Sequence, residues 1–268
     1  MNKAIIIAAA LTIGCSQTQA QGNVKNIGKN NITLNSKLMT PEALWAMGRI
    51  AGAQASPDGK NIVYQVGYYS VKENRGHQVL YIMPADGREN KLLTTDAKSE
   101  TDAVWIEGGK RIAFLREGQI WAMNPDGTGR QQLTHDKTGI DGFKFSPDGQ
   151  SVILIKQIPY NVTIQKNPAD LPKTTGMVIT DMNYRHWDEY VTSIPHPFLA
   201  AVTANGIGEG KDIMEGEPYE CPVKPFGGAE QLAWSPNSKS IAYTSRKKTG
   251  IEYALSTDTD IYLYNTET

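Results

Sequence analysis

The residues best suited to chemistry in this sequence are concentrated at positions 184–190. This short segment contains four aromatic rings, counting the histidine, and three charged side chains. The charged groups of Arg185, Asp188 and Glu189 could orient an ionic ligand, while Trp187 and the other rings exclude water. The same composition also suits an inserted loop that folds onto the body of the protein and pairs Arg185 with a carboxylate. The residues alone leave both interpretations open.

The sequence lacks the machinery of a serine hydrolase. No Gly-x-Ser-x-Gly elbow occurs in it, and that turn is what exposes the nucleophilic serine of an α/β-hydrolase. The four histidines are His77, His135, His186 and His196. His186 lies near Asp188, but no recognisable motif places a serine beside them. We therefore assign no catalytic residue and expect no independent peptidase activity.

The composition also argues against a cofactor, a metal and a nucleic acid ligand. The Pro-Asp-Gly turns supply carboxylates, but the alternating acids and the distant glutamate of a calcium loop are missing. Four histidines and two cysteines form no dense cluster of the zinc-binding type. The formal net charge is −1 and the basic residues are scattered, which gives no electrostatic footprint for nucleic acid.

The first twenty residues predict export. Lys3 precedes an apolar run, residues 4–13, that is too short to span a bilayer. Small residues then lead to a cleavage site near Ala20, so we expect a signal peptide over residues 1–20 and a secreted or periplasmic protein. A lipoprotein anchored at Cys15 is the alternative. No later segment is long and apolar enough to be a transmembrane helix.

A repeated turn motif sets the framework that must position the charged segment. Ser-Pro-Asp-Gly, or a variant of it, lies between an aromatic or small residue and a β-branched strand in four places, which begin at Ala55, Trp105, Phe145 and Trp234. A second motif, an apolar strand that runs into a turn ending in Asp-Gly, alternates with the first. Asp-Gly accepts the positive φ that hairpin turns require. Each full unit therefore predicts two hairpins, or four antiparallel strands.

Four strands in every 40 to 50 residues are typical of a propeller blade. We predict an all-β fold, an incomplete β-propeller of four-stranded antiparallel blades over residues 50–268, which follows a lead-in with a short helix over residues 21–49. Trp105, Phe145 and Trp234 should fill the space between stacked blades. Three blades and part of a fourth fit into the chain, so we expect it to be part of a longer protein.

Blade three carries an insertion at about residues 157–195 that the other blades lack. Long insertions in a regular array are usually functional loops. This one joins the second strand of its blade to the third, whereas the tight turns join strands one to two and three to four. The insertion should therefore emerge on the face of the propeller opposite to the turns.

The Ser-Pro-Asp-Gly blades, and above all the string Tyr-Arg-His-Trp-Asp at 184–188, resemble the propeller of the prolyl oligopeptidase family of serine peptidases. The resemblance is strongest to its secreted bacterial members of the dipeptidyl-peptidase 5 type and to acylaminoacyl-peptidase relatives. Residues 38–45 look like the lead-in helix that those enzymes place before their first blade. The turn motifs alone are generic, since TolB-type propellers share them, but the string is much more specific.

This resemblance implies a propeller that caps an α/β-hydrolase domain, which would follow in sequence and is missing from these 268 residues. The cap would restrict entry to short peptide substrates and help to hold their N-terminal end. Glu189 is then a candidate partner for the free amine of the peptide, beside Arg185, Trp187 and Asp188 as further candidate substrate-binding residues. The alternative is a stand-alone periplasmic propeller of the TolB type that binds a protein partner, and that class has no reason to carry the insertion.

Overall fold

The computed structural model of the chain describes residues 27–33, 37–160, 163–164, 170, 173–175, 178–179 and 191–268. Within these residues the strands form four antiparallel sheets of three to five strands and one separate two-stranded pair. The predicted all-β architecture is confirmed. Each of the four sheets is formed by one stretch of the chain, and the sheets follow one another along the sequence.

The first two sheets are four-stranded meanders, as the repeated motif predicts. The first contains β1 (Arg49–Ala55), β2 (Asn61–Ser70), β3 (Arg75–Pro84) and β4 (Lys91–Leu92). The second contains β5 (Glu100–Ile106), β6 (Arg111–Arg116), β7 (Gln119–Met123) and β8 (Gln131–Gln132). In both sheets each strand pairs with the next one along the chain, which is the topology of a propeller blade.

The third and fourth sheets modify this plan. The third contains β9 (Gly142–Phe145), β10 (Ser151–Pro159) and β13 (Ser193–Thr203), with β14 (Gly206–Ile207) and β15 (Lys211–Asp212) both paired to β13. Between β10 and β13, β11 (Thr163–Ile164) pairs with β12 (Val178–Ile179). The fourth sheet contains β16 (Leu232–Trp234), β17 (Ser240–Ser245) and β18 (Asp260–Asn265).

The Ser-Pro-Asp-Gly turns of blades one and three close by the same contacts. Ser56 donates from Oγ to Asp58 Oδ1 at 2.6 Å, and Ser146 donates to Asp148 at the same distance. Gly59 takes a φ of +70°, in the left-handed region that favours glycine. The serine, the acid and the glycine thus fix the hairpin between the first and second strands of a blade.

Apolar clusters fill the three seams between successive sheets. Trp105, Phe145 and Trp234 pack against the clusters of the first, second and third seam respectively, as predicted. The indole N–H groups of Trp105 and Trp234 also cross a seam, donating to the carbonyls of Gln54 at 3.2 Å and Lys144 at 2.9 Å. Adjacent blades therefore bury their facing sides against each other, as stacked repeats must.

Two short helices accompany the described strands. The predicted lead-in helix is confirmed as α1 (Pro41–Ala46), with proline at its start and Thr40 as its N-cap, accepting from the Ala43 N–H at 3.2 Å. The second helix, α2 (Gly250–Leu255), lies between β17 and β18 and was not predicted. In the described residues no helix has the length and apolar character needed to cross a membrane.

Candidate functional site

The connections between the second and third strands of the four sheets lie at one end of the sheets, which we call the insertion face. They follow β2, β6, β10 and β17, and because paired strands alternate in direction they lie opposite the Ser-Pro-Asp-Gly turns. The predicted substrate-binding residues Arg185, Trp187, Asp188 and Glu189 belong to the connection after β10. They lie outside the residues that the structure describes, and their role stays a prediction.

The neck of the blade-three insertion is well defined. β10 and β13 pair continuously as far as Pro159 and Ser193, and the Tyr160 N–H donates to the Thr192 carbonyl at 2.9 Å. The connection outside the sheet therefore runs from residue 160 to residue 192, a shorter stretch than 157–195. A small apolar cluster packs at this neck, formed by Ile158, Tyr160, Val191 and Ile194.

The connection between β17 and β18 is a second extension of the insertion face, and it contains α2. The Arg246 guanidinium lies 3.7 Å from the centre of the buried Tyr253 ring and donates to the Ser256 carbonyl at 3.1 Å, which fixes the helix on the sheet. Ile251 and Leu255 lie one helical turn apart and are exposed. Two neighbouring blades are thus extended at the same face.

Lys247 occupies the seam between the third and fourth sheets at this face. Its Nζ lies 2.7 Å from Glu217 Oε2 and 4.2 Å from the centre of the Tyr262 ring. Burial acts to lower the pKa of Lys247, but the hydrogen bond and charge of Glu217 outweigh burial and raise that pKa. The side chain is therefore a fixed cation at the insertion face.

Equivalent ion pairs join the two preceding seams. Arg116 lies 2.6 Å from Asp96, and Lys156 lies 2.9 Å from Asp136. In each pair the acid belongs to the connection that leaves one blade, and the cation belongs to the second strand of the next blade. These seam pairs were not predicted from the sequence. Their signal was the equal separation of 20 residues between acid and cation in both pairs.

The buried histidines of the described part have structural roles. His196 Nδ1 lies 2.8 Å from Asp212 Oδ2 and its Nε2 lies 2.8 Å from the Tyr219 carbonyl oxygen. His77 contacts two backbone carbonyls, at 2.8 Å and 3.3 Å. Because both ring nitrogens of each imidazole are hydrogen-bonded, neither histidine is placed to take a proton from a nucleophile.

Two further kinds of chemistry find no support in the described residues. Cys221 is fully buried, and burial raises the pKa of its thiol to about 12, so it stays protonated and unreactive at neutral pH. Within the described ranges, no group of three or more His, Cys, Asp and Glu side chains could hold a metal ion. The insertion face therefore offers fixed charges and rings for binding.

Comparison with known proteins gives clear relatives. The chain is 44% identical over 271 residues to dipeptidyl-peptidase 5 of Porphyromonas gingivalis, and this alignment covers 99% of the chain and 38% of that protein. The corresponding protein of Porphyromonas endodontalis is 43% identical over 241 residues, covering 88% of this chain and 35% of that protein. No protein-family model matches the chain.

Among solved structures, an acylaminoacyl peptidase of Pyrococcus horikoshii shares the fold with a TM-score of 0.53 and 12% identity, over 83% of this chain and 32% of that chain. The chain spans little more than a third of the length of the curated relatives that it matches.

Proposed function

From the homology of this chain to dipeptidyl-peptidase 5 along nearly all of its length, we propose that it is the propeller portion of an exported dipeptidyl peptidase. The chain matches the propeller region of that enzyme and of acylaminoacyl peptidase. In this proposal the propeller is not catalytic. It gates and positions short peptides for a serine hydrolase domain that lies outside these 268 residues.

The observation that best supports this proposal is the extension of two adjacent blades on one face. The insertion after β10 and the α2 connection after β17 flank the seam that holds Lys247, Glu217 and Tyr262. Rigid sheets that carry long connections at one end are a common way to build a binding surface. The homology favours this role over that of a stand-alone TolB-type propeller with a protein partner.

The decisive experiment uses a chimera in which this chain replaces the matching part of P. gingivalis dipeptidyl-peptidase 5. We expect the chimera to release dipeptides from short peptides. In a second chimera a two-residue Asn-Gly turn replaces residues 161–190, and we expect about a 10-fold rise in KM and cleavage of longer peptides as well. The same KM and the same length preference in both chimeras would contradict the gating role.

Within this proposal Glu189 pairs with the free amine of the peptide, while Arg185, Trp187 and Asp188 line the same subsite. Glu189→Gln in the chimera should then raise KM for peptides with a free amine and leave N-acetylated peptides unaffected. Glu215→Gln is the matched control, because Glu215 is an exposed glutamate in the connection between β15 and β16 at the same face. An unchanged KM for Glu189→Gln would contradict the assignment.

Export belongs to the same proposal. The expected route is cleavage near Ala20, and lipid attachment at Cys15 is the alternative. Expression of the natural sequence in a bacterium, followed by mass spectrometry of the mature N-terminus, distinguishes the two. A protein that keeps Met1 and stays in the cytoplasm would contradict both.

A further inference from the structure

The exposed apolar side chains of this chain are unevenly distributed between the two ends of the sheets. From β1 onward, no large apolar side chain that is exposed in the described residues lies in a turn between the first and second or the third and fourth strands of a sheet. Four lie instead in connections at the insertion face: Val71, Phe226, Ile251 and Leu255. Single exposed apolar side chains are ordinary, whereas adjoining ones mark an interaction site. Ile251 and Leu255 are the two that share one element, α2.

The aliphatic pair of α2, formed by Ile251 and Leu255, lies on the outward side of the helix. The two side chains are 59% and 78% exposed, and because they are four residues apart they are neighbours on the helix surface. Tyr253, midway between them in sequence, is buried on the opposite side. A helix that only packs on its own sheet turns its apolar stripe inward. α2 instead turns one aromatic ring inward and presents an aliphatic pair to solvent.

Contacts of Arg246 and Lys248 hold α2 in place. The Arg246 guanidinium packs on the Tyr253 ring at 3.7 Å and donates to the Ser256 carbonyl at 3.1 Å. Lys248 Nζ lies 3.6 Å from Asp258 Oδ2, so an ion pair joins the segment before the helix to the segment after it. The aliphatic pair is therefore carried on a fixed support, and such preorganisation favours docking.

The surface that complements this pair is apolar, because the neighbouring lysines already have partners: Lys247 pairs with Glu217, and Lys248 with Asp258. Two side chains are too few for a freely diffusing protein, since stable interfaces bury about 1,200–2,000 Å². They suffice for a domain of the same polypeptide, whose effective concentration is on the order of millimolar. The alignment covers 38% of P. gingivalis dipeptidyl-peptidase 5, so the larger part of such a protein lies outside these residues.

We propose that the aliphatic pair of α2 docks onto an apolar patch of the hydrolase domain. This inference rests on the proposed function, which places that domain outside these 268 residues. It gives the two extended blades different tasks. The insertion of blade three contacts the peptide, whereas α2 of blade four fixes the position of the hydrolase domain on the insertion face.

The test compares the double variant Ile251→Gln with Leu255→Gln in two settings, the purified chain and the chimera with P. gingivalis dipeptidyl-peptidase 5. Glutamine is nearly as good a helix former as leucine, so α2 is retained. In the purified chain the thermal midpoint should not change, because both side chains are exposed there. In the chimera the double variant should lower the midpoint by about 2–4 °C. Glu252→Gln is the control, since Glu252 is an exposed residue of the same helix outside the aliphatic pair.

An unchanged midpoint in the chimera would overturn the inference, and a rise in KM without a change in midpoint would assign the pair to the peptide instead. An equal fall in both settings would also overturn it, because the pair would then stabilise the propeller itself. Size-exclusion chromatography of the purified chain tests a further occupant. A dimer that the double variant converts into a monomer would assign the pair to a second copy of this chain.

Failure of the proposed function gives a different result from failure of this inference. If the proposed function is wrong, the chimera with an unchanged α2 releases no dipeptides. If only the docking role of α2 is wrong, that chimera is active and its thermal midpoint does not depend on Ile251 and Leu255.

Discussion

The Lys156 ammonium lies 2.9 Å from the Asp136 carboxylate across the seam between the second and third sheets, and neither side chain is more than 9% exposed. Lys156 also donates to the Glu209 carbonyl at 2.8 Å and lies 4.1 Å from the centre of the Phe198 ring. A buried pair of this kind matters mainly through the cost of leaving one charge without its partner.

We predict that Lys156→Ala destabilises the chain by about 3–5 kcal/mol, because it leaves the Asp136 carboxylate buried and unpaired. The double variant Lys156→Met with Asp136→Leu should lose less free energy of unfolding than the single variants Lys156→Met and Asp136→Leu lose together, because the two sites are coupled. Urea unfolding followed by tryptophan fluorescence measures both. Lys60→Ala is the control, since Lys60 forms an exposed pair with Asp58 at 3.9 Å and its loss should barely move the midpoint. Additive effects at the seam would contradict the coupling.

The seam pairs also predict how stability depends on pH. Burial acts to raise the pKa of Asp136, but hydrogen bonds from Lys156 and Thr138 outweigh it and hold that pKa below its ordinary value. The pKa of Asp96 is lowered in the same way, because the hydrogen bond from Arg116 outweighs burial. A carboxylate with a lowered folded-state pKa contributes stability above its unfolded pKa, about 3.9, and loses it as the pH falls further.

The free energy of unfolding should therefore be almost constant from neutral pH to about pH 5 and decline below about pH 4. Urea titrations between pH 2 and pH 7 measure this decline. Asp136→Asn should make it shallower, since one fewer carboxylate takes up a proton on unfolding. An equally steep decline in that variant would show that other groups control the loss of stability at low pH.

Gly206 is expected to tolerate no side chain. It has a φ of +121°, and a Cβ there would lie 2.7 Å from the Leu133 carbonyl oxygen, which also accepts the Ile207 N–H. Gly206→Ala should destabilise the chain by at least about 1–3 kcal/mol from backbone strain. Gly208→Ala is the matched control two residues away, where a Cβ meets no atom within 4 Å. Equal thermal midpoints for the two variants would contradict this account.

The Cys221 thiol should be inert in the folded protein. Its complete burial shields the sulfur from a thiol reagent. Its raised pKa of about 12 keeps the thiol protonated at pH 8, whereas the thiolate is the reactive form. In a Cys15→Ser chain, Ellman's reagent should react with Cys221 only after guanidinium unfolds the protein. Rapid reaction under native conditions would mean that the seam around Cys221 opens readily.

Much of the fold could be predicted because its determinants are local. The contact of Ser56 with Asp58 and the positive φ of Gly59 lie within one turn, so the turn sequence predicts the hairpin wherever it recurs. The residue before that turn is aromatic and packs in a seam at Trp105, Phe145 and Trp234. Fold class and strand order follow from such repeats.

The missed features depend on contacts between distant parts of the chain. Lys247 and Glu217 are 30 residues apart and meet only because two sheets stack. The α2 helix is six residues long, its N-cap Thr249 makes no side-chain capping bond, and it is fixed by Arg246 on Tyr253. Local patterns do not predict such pairs.

Pro159 and Ser193 lie opposite each other in the last step of the β10–β13 ladder, so the insertion leaves and re-enters the sheet within one inter-strand spacing of about 5 Å. A segment attached in this way can differ in length and sequence without shifting the strands beneath it. Blade three thus has a modular attachment point, at which the insertion can vary while the seam pairs hold the geometry of the sheets.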